Sequence, residues 1–354
     1  MPVHNGARFL RPAIDSVLRQ TFEDWELLIV DDDSSDGSVA IANSCQDPRV
    51  RTLAGHGRHG LAGTLNIGLA AAAGTYVARL DQDDVARADR LAKQVAYLDT
   101  RPGVALVGSL ARLIDETGRD LGVVRRPLSA IGIRWYSMLE NPLIHSTVMF
   151  RLDVARRLGG YDASLVYAED YDLWGRMLEA GIVENLAECL VDYRRWSASM
   201  MSAVELDAAS PRQQLLHQIM AALIRKRITA ELGEPSGTDA QSALLATFTL
   251  GVRREQWREF VALLAGLRAR FEARWPDALQ DREYWRAVAD QYDAIAFRMT
   301  PPSRAAAAGV YMHACTEAPH AAPLLPWSRA MALVVLGKRG RQRAAAGVTR
   351  LRPR

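Results

Sequence analysis

The sequence predicts an α/β protein: a mostly parallel sheet with helices on both faces, an antiparallel portion after it, and an all-α region at the C-terminal end. Three observations carry this. Over roughly the first hundred residues, short apolar runs alternate with amphipathic segments. Two of those runs end abruptly in carboxylates, at Asp31–Asp36 and at Asp81–Asp84. From about Glu205 onward the chain turns to Ala, Leu, Arg and Gln, and strand signals stop.

The elements follow in order. Pro2-Val3-His4-Asn5-Gly6 opens the chain, and a helix to about Gln20 places Leu10, Ile14, Val17 and Leu18 on one face. Pro12 reads as tolerable in its first turn. Trp25–Val30 is an apolar strand, and Ser and Asp after it supply caps for a helix at Val39–Ser44. Val50–Ala54 is a strand. Leu61–Ala73 is a helix with Gly74 as its C-cap. Thr75–Leu80 is the strand that runs into the second acidic cluster, and a helix over Arg87–Thr100 buries Leu91, Val95 and Leu98. Strand signals return around Val104–Gly108, and the polar turn Asp115-Glu116-Thr117-Gly118 joins two strands, which predicts antiparallel pairing. Arg134–Leu139 is helical, Leu143–Arg151 a strand containing His145, Ser146 and Thr147, and Gly159-Gly160-Tyr161 a turn. A helix opens at Glu169 and runs to Ala180, and Glu188–Arg195 is the last strand. Helices are expected over 212–232, 239–273, 281–299 and 303–316, in which Trp257, Trp275 and Trp285 read as packing residues. These elements divide into a first domain of residues 1–204 and a helical region of 205–354.

Composition narrows the function classes. The chain has 354 residues, 49% apolar and 24% charged, which is ordinary for a globular protein with a substantial core. A net charge of +3 makes no case for nucleic acid. Cys45, Cys189 and Cys315 are odd in number and scattered, which fits a reducing cytoplasm rather than a disulfide framework. No secretory leader pattern is visible, and no apolar run approaches the roughly 20 residues that span a bilayer. The stretch from Arg329 to Arg354 holds eight basic residues and no acidic one, so it reads either as a solvated tail or as a patch for an anionic membrane surface.

The acidic clusters carry the chemistry. Three ionised carboxylates within four residues, Asp81, Asp83 and Asp84, repel one another unless a cation neutralises them. Hard oxygen ligands favour Mg²⁺ or Mn²⁺, which commonly also hold a substrate phosphate. The plainer reading, an acidic loop capping the helix at Arg87, accounts for Asp84 and leaves Asp81 and Asp83 unexplained. Both clusters sit at carboxyl ends of strands, the edge of an α/β sheet where ligands bind. Gly55-His56-Gly57-Arg58-His59-Gly60 also matches the glycine pattern of dinucleotide sites. That site needs one acid for the ribose, however, and neither three nor a second acidic loop.

Taken together, several short pieces resemble an inverting family 2 glycosyltransferase of the GT-A fold over residues 1–202. They are Pro2-Val3-His4-Asn5-Gly6, Val30-Asp31-Asp32-Asp33-Ser34-Ser35-Asp36-Gly37-Ser38, Asn66-Ile67-Gly68, Leu80-Asp81-Gln82-Asp83-Asp84, His145-Ser146-Thr147-Val148-Met149-Phe150-Arg151, Gly159-Gly160-Tyr161, Glu169-Asp170-Tyr171-Asp172-Leu173-Trp174 and Tyr193-Arg194. The resemblance implies that Pro2, Val3 and Asn5 line the nucleotide and that Asp32, with Asp31, meets a uracil edge. It implies Asp81 at ribose or metal, Asp83 on a divalent cation (Mn²⁺ or Mg²⁺), and Asp170 as general base. Glu169 and Trp174 would shape the acceptor pocket, and Arg194 would serve the diphosphate. A UDP-linked sugar donor and a glycan or lipid-linked acceptor follow, with work at the cytoplasmic face of a membrane. Two departures stand out: the family places a full strand before His4, which implies a chain starting upstream of Met1, and Arg195-Trp196 stands where the family often has a histidine. A nucleotidyltransferase and a catalytically degenerate sugar-nucleotide scaffold are the competing readings.

Overall fold

The computed structural model describes residues 1–55, 57–196, 211–233, 238–250, 253–298, 304–321 and 324. They form two compact units, Met1–Arg126 with Leu143–Ser202, and Pro127–Pro142 with Ala203–Arg354.

The first unit begins with β1 (Pro2–Val3), α1 (Ala7–Leu18), β2 (Leu27–Asp31), α2 (Ser38–Asn43), β3 (Val50–Ala54) and α3 (Gly60–Ala71). β1, β2 and β3 pair in that order as a parallel sheet with Val3, Asp31 and Ala54 in register. β2 is the middle strand, so its apolar run is buried, and Val3, Leu10, Ile14, Leu27, Ile29 and Ala42 make one core cluster. Pro12 lies in the second turn of α1 rather than the first. It is exposed, and so is Arg8, whose carbonyl loses a helical bond and can turn to water instead. α3 ends at Ala72, whose backbone is extended, and Gly74 does not act as a left-handed cap.

The strands that follow build a second sheet. They are β4 (Tyr76–Ala78), β5 (Val85–Ala86), β6 (Val104–Ile114), β7 (Asp120–Val124), β8 (Met149–Arg151) and β9 (Ile182–Arg194), with α4 (Arg90–Asp99) between β5 and β6. The order is β4-β8-β6-β9-β5, with β7 on β6. β6 and β9 are parallel and every other pair is antiparallel. The strand bearing the second acidic cluster therefore pairs with β8 and not with the first sheet. A cavity of about 790 Å³ is lined by both β2 (Leu28, Val30) and β4 (Val77, Ala78). Arg90, fully buried on α4, ties the second sheet together by donating to the carbonyls of Arg79 (2.8 Å) and Val148 (3.1 Å).

Residues 143–151, expected as one strand, contain a 3-10 turn at His145–Thr147, and only Met149–Arg151 is strand. Thr147 closes that turn with two bonds to the Ile144 carbonyl, one from its backbone N–H and one from its hydroxyl, each 2.8 Å. α5 (Ala130–Tyr136) belongs to the second unit, and α6 (Leu152–Arg157) and α7 (Glu169–Ala180) to the first.

The second unit adds α8 (Pro211–Leu232), α9 (Asp239–Leu250), α10 (Trp257–Arg274), α11 (Arg282–Arg298) and α12 (Arg304–Glu317). The helix expected over 239–273 is thus two helices. Trp135 of α5 is buried edge-on to Phe271 (5.4 Å) and Tyr284 (5.8 Å), and Arg134 pairs with buried Glu231 at 3.1 Å. α5 was expected inside a 1–204 domain and instead shares the core of these helices. The boundary at 204/205 and the basic stretch 329–354 lie outside the described residues. Among the described residues no helix is long and apolar enough to cross a membrane.

Candidate active site

The loops after β1, β2 and β4 are joined by hydrogen bonds that run through His4 and Asn5. Asn5 has a left-handed backbone (φ 50°), which turns the chain sharply after Val3. Its N–H donates to Ser34 Oγ (3.0 Å) and its side-chain carbonyl accepts from Ser35 N–H (2.8 Å). His4 donates from Nδ1 to the Asp32 carbonyl (2.8 Å), while its backbone exchanges two bonds with the Gln82 side chain, 3.0 and 3.2 Å. Both acidic clusters are therefore anchored to one short segment. An added Cβ at Gly6 would lie 2.2 Å from Gln82 Oε1, so a larger residue there would push the Gln82 side chain away from His4.

In the first cluster Asp32 is buried, and both its oxygens accept backbone N–H groups at the start of α3, from His59 (2.7 Å) and Gly60 (3.1 Å). Asp31 differs: Oδ2 accepts from Ser34 N–H (3.2 Å), and Oδ1 is buried without a partner. Pro2 and Val3 are buried in β1.

In the second cluster one carboxylate oxygen from each of Asp81, Asp83 and Asp84 lies within 4.8 Å of the others. The plain alternative fails for Asp84, since β5 follows it and α4 starts only at Arg90. Asp84 is buried, accepts the Arg194 N–H on Oδ1 (2.7 Å), and has Oδ2 without a partner. Burial, then the charges of Asp81 and Asp83, push its carboxyl well above the usual range. Burial and the Asp81 charge likewise raise Asp83, opposed by a hydrogen bond from Trp196. Burial works to raise Asp81 too, but Arg79 beside it outweighs this and holds it low. A cation would relieve both the repulsion and the orphaned oxygen, so this donor set fits a hard divalent ion.

The third group of acids lies at the start of α7. Ala168, the residue before it, is left-handed (φ 59°). Glu169 is buried, and Asp170 Oδ1 accepts from Tyr171 N–H at 2.7 Å. His145 Nδ1 lies 3.9 Å from both Glu169 Oε1 and Asp170 Oδ2, and Nε2 meets the Tyr161 hydroxyl at 3.0 Å. Burial first, then Arg79, depresses the His145 imidazole well below its ordinary range. Burial and then the Asp170 charge push the Glu169 carboxyl up to about 8.

One turn connects the second and third groups. Ser146, next to His145, donates its hydroxyl to Asp81 Oδ2 (2.8 Å) and accepts from the Asp81 N–H and from Arg79, each 3.1 Å. The 3-10 turn thus has the cation-type cluster on one side and the Glu169-Asp170 pair on the other. Sequence reasoning placed His145 and Ser146 inside a strand and gave them no role. Trp174 is fully buried behind this turn, edge-on to His145 at 5.6 Å, with Tyr161 at 6.2 Å. Arg194, also buried, donates to the Asp83 (2.9 Å) and Asp115 (3.0 Å) carbonyls and stacks over Phe9 at 4.5 Å. In the glycine-rich segment, the His59 ring hydrogen-bonds to the Gly55 carbonyl.

Comparison with known proteins follows the same outline. A family model described as glycosyl transferase family 2 matches residues 1–159. The O-antigen biosynthesis glycosyltransferase WbnJ of Escherichia coli is 32% identical over 209 residues, covering 55% of this chain and 77% of that protein. WfgD of Escherichia coli, a UDP-Glc:α-D-GlcNAc-diphosphoundecaprenol β-1,3-glucosyltransferase, is 30% identical over 179 residues, covering 51% and 68%. Of three further relatives, the chain spans 62%, 71% and 52% of their lengths, less than two thirds of two of them. Among solved structures, Staphylococcus aureus TarS residues 1–349 with UDP-GlcNAc aligns with a TM-score of 0.54 at 16% identity, covering 98% of this chain and 88% of that one. That likeness concerns the fold, and it agrees with a GT-A α/β domain followed by helices.

Proposed function

This chain belongs to glycosyl transferase family 2, and from that premise we propose that it is an inverting glycosyltransferase using a nucleotide-diphosphate sugar, UDP-linked, to extend a glycan or lipid-linked acceptor in polysaccharide or O-antigen synthesis at the cytoplasmic face of a membrane. The observation that carries the reading is the His145-Ser146 turn, with the Asp81-Asp83-Asp84 carboxylates on one side and Glu169-Asp170 on the other.

The base and ribose would lie over Pro2, Val3 and Asn5. Asp31, whose Oδ1 has no partner, is better placed than Asp32 to accept from the base edge. Asp81, Asp83 and Asp84 would hold a divalent cation. When bound, that ion neutralises the diphosphate and stabilises charge on the leaving phosphate. Asp170 takes the proton of the acceptor hydroxyl as its oxygen bonds to the anomeric carbon and the bond from that carbon to the diphosphate oxygen breaks. Attack from the face opposite the leaving group inverts the centre. A neutral Glu169 beside Asp170 can hydrogen-bond the acceptor without competing for the proton. Trp174 shapes the acceptor side only through His145 and Tyr161, and Arg194 acts by holding the Asp83 backbone.

A screen of nucleotide sugars for donor hydrolysis and transfer, with Mn²⁺ or Mg²⁺ added and withheld, tests this. Asp170→Asn should reduce transfer by about 10²- to 10⁴-fold while UDP still binds. Full transfer by a folded Asp170→Asn protein would remove the base assignment. Calorimetry with UDP and Mn²⁺ separates an enzyme from a scaffold, since a scaffold need show no metal-dependent binding.

A further inference from the structure

Asp83 receives a hydrogen bond from a residue 113 positions away: the Trp196 indole N–H donates to Oδ2 at 2.8 Å. Indole can donate but cannot accept, so this side chain cannot itself be a metal ligand. It is held firmly. Phe9 meets it edge-on at 5.2 Å, and the Arg8 guanidinium lies 5.8 Å from its ring centre and 4.8 Å from that of Phe9. Arg8 is in turn paired with Glu116 at 2.9 Å. Two residues earlier, Arg194 donates its backbone N–H to Asp84 Oδ1 (2.7 Å) and its Nε–H to the Asp83 carbonyl (2.9 Å). The end of β9 and the residue two beyond it therefore grip two of the three clustered acids at three points.

We propose that Trp196 is a positioning residue for the cation site, its indole N–H fixing the Asp83 carboxylate in the orientation in which it shares a divalent ion with Asp81 and Asp84. The proposal rests on the reading that these carboxylates hold a cation. The physical argument is one of charge and rotation. A carboxylate in a turn can rotate about its last bond, and a donor on one oxygen stops it. Arginine or lysine would do this too, but would bring a positive charge that repels the ion. A neutral N–H fixes the group and leaves its negative charge available. Hydrogen bonds that orient metal ligands in this way are commonly worth about 10- to 100-fold in metal affinity.

The test is calorimetric titration of the full chain with Mn²⁺ alone, comparing the parent with Trp196→Phe and Trp196→Gln. Phenylalanine keeps a ring edge for Phe9 but has no donor, whereas glutamine can restore an N–H without adding an imidazole ligand for the ion. Trp196→Phe should bind Mn²⁺ about 10- to 100-fold more weakly with an unchanged unfolding midpoint, and Trp196→Gln should recover part of the binding. Mn²⁺ should quench part of the parent's indole emission, and that part should vanish in Trp196→Phe. If the parent binds Mn²⁺ and a folded Trp196→Phe binds it equally well, the role of Trp196 is overturned and the cation reading survives. A parent that binds no Mn²⁺ overturns both. Equal losses in both variants together with a lowered midpoint make Trp196 a packing residue and end the proposal.

Discussion

Glu169 and Asp170 are neighbours in sequence with unlike surroundings, and the difference is what makes them useful. Glu169 is buried against His145, so its proton is hard to remove, and its carboxyl titrates at about 8. The folded carboxyl sits above the ordinary value of 4.5, so between those limits the folded state keeps a proton that the unfolded chain has released. Stability therefore falls as pH rises through that window, by up to about 1.4 kcal/mol per pH unit. Glu169→Gln, neutral at every pH, should match the parent's unfolding midpoint near pH 4.5 and exceed it by pH 8, as a thermal melt series across that range would show. Identical pH dependence in the two proteins would mean that Glu169 is ionised when folded. The same scale separates the two acids after β2. Asp32→Ala removes a buried carboxylate that accepts both N–H groups at the start of α3 and should cost about 2 kcal/mol in urea denaturation. Asp31→Ala should leave stability nearly unchanged and weaken UDP binding.

At the scale of elements, the junction at Ala168 sets the aim of α7. A non-glycine residue in the left-handed region costs roughly 1 kcal/mol, and here it lies two residues before the proposed base. Ala168→Gly should raise stability by up to about 1 kcal/mol in equilibrium unfolding and lower the transfer rate, because the residue that turns the chain into Asp170 becomes freer. An unchanged rate would show that α7 is aimed by its packing alone. Elements also show where sequence reading stopped. The alternation of β1 to α3 and the acids at two strand ends were legible, since periodicity and charge are local signals. The direction in which β4 pairs was not, because an apolar strand looks the same beside a parallel or an antiparallel partner. A helix cap stayed open as the plainer reading of Asp84 because the gap before the next helix, filled by β5, depends on pairing with distant β9. Ser146 as the bridge to Asp81 joins residues 65 apart, and no local pattern announces it.

For the whole molecule, the main departure from the sequence is α5. Its neighbours on both sides, β7 and the His145–Thr147 turn, belong to the first unit, yet α5 is counted with the helices that begin at Pro211. Composition could not reveal this, since the shift in residue types begins only near residue 205. The side chains show why it holds. Trp135 is 1% exposed and meets Phe271 and Tyr284, and Ile133 beside it is fully buried. Gly132 packs against the backbone of α11, where an added Cβ would lie 3.2 Å from Glu283. A domain with its own core can open on its own, so damage to that core should be felt locally. Trp135→Ala removes a large buried ring and should cost the second unit about 3–5 kcal/mol. Hydrogen exchange should then show faster exchange in α8, α10 and α11, while β2, β6 and α7 keep their protection and UDP binding persists. Loss of protection in β2 and β6 to the same degree would mean that the chain unfolds as one cooperative body, and that α5 is part of a single core rather than of a second one.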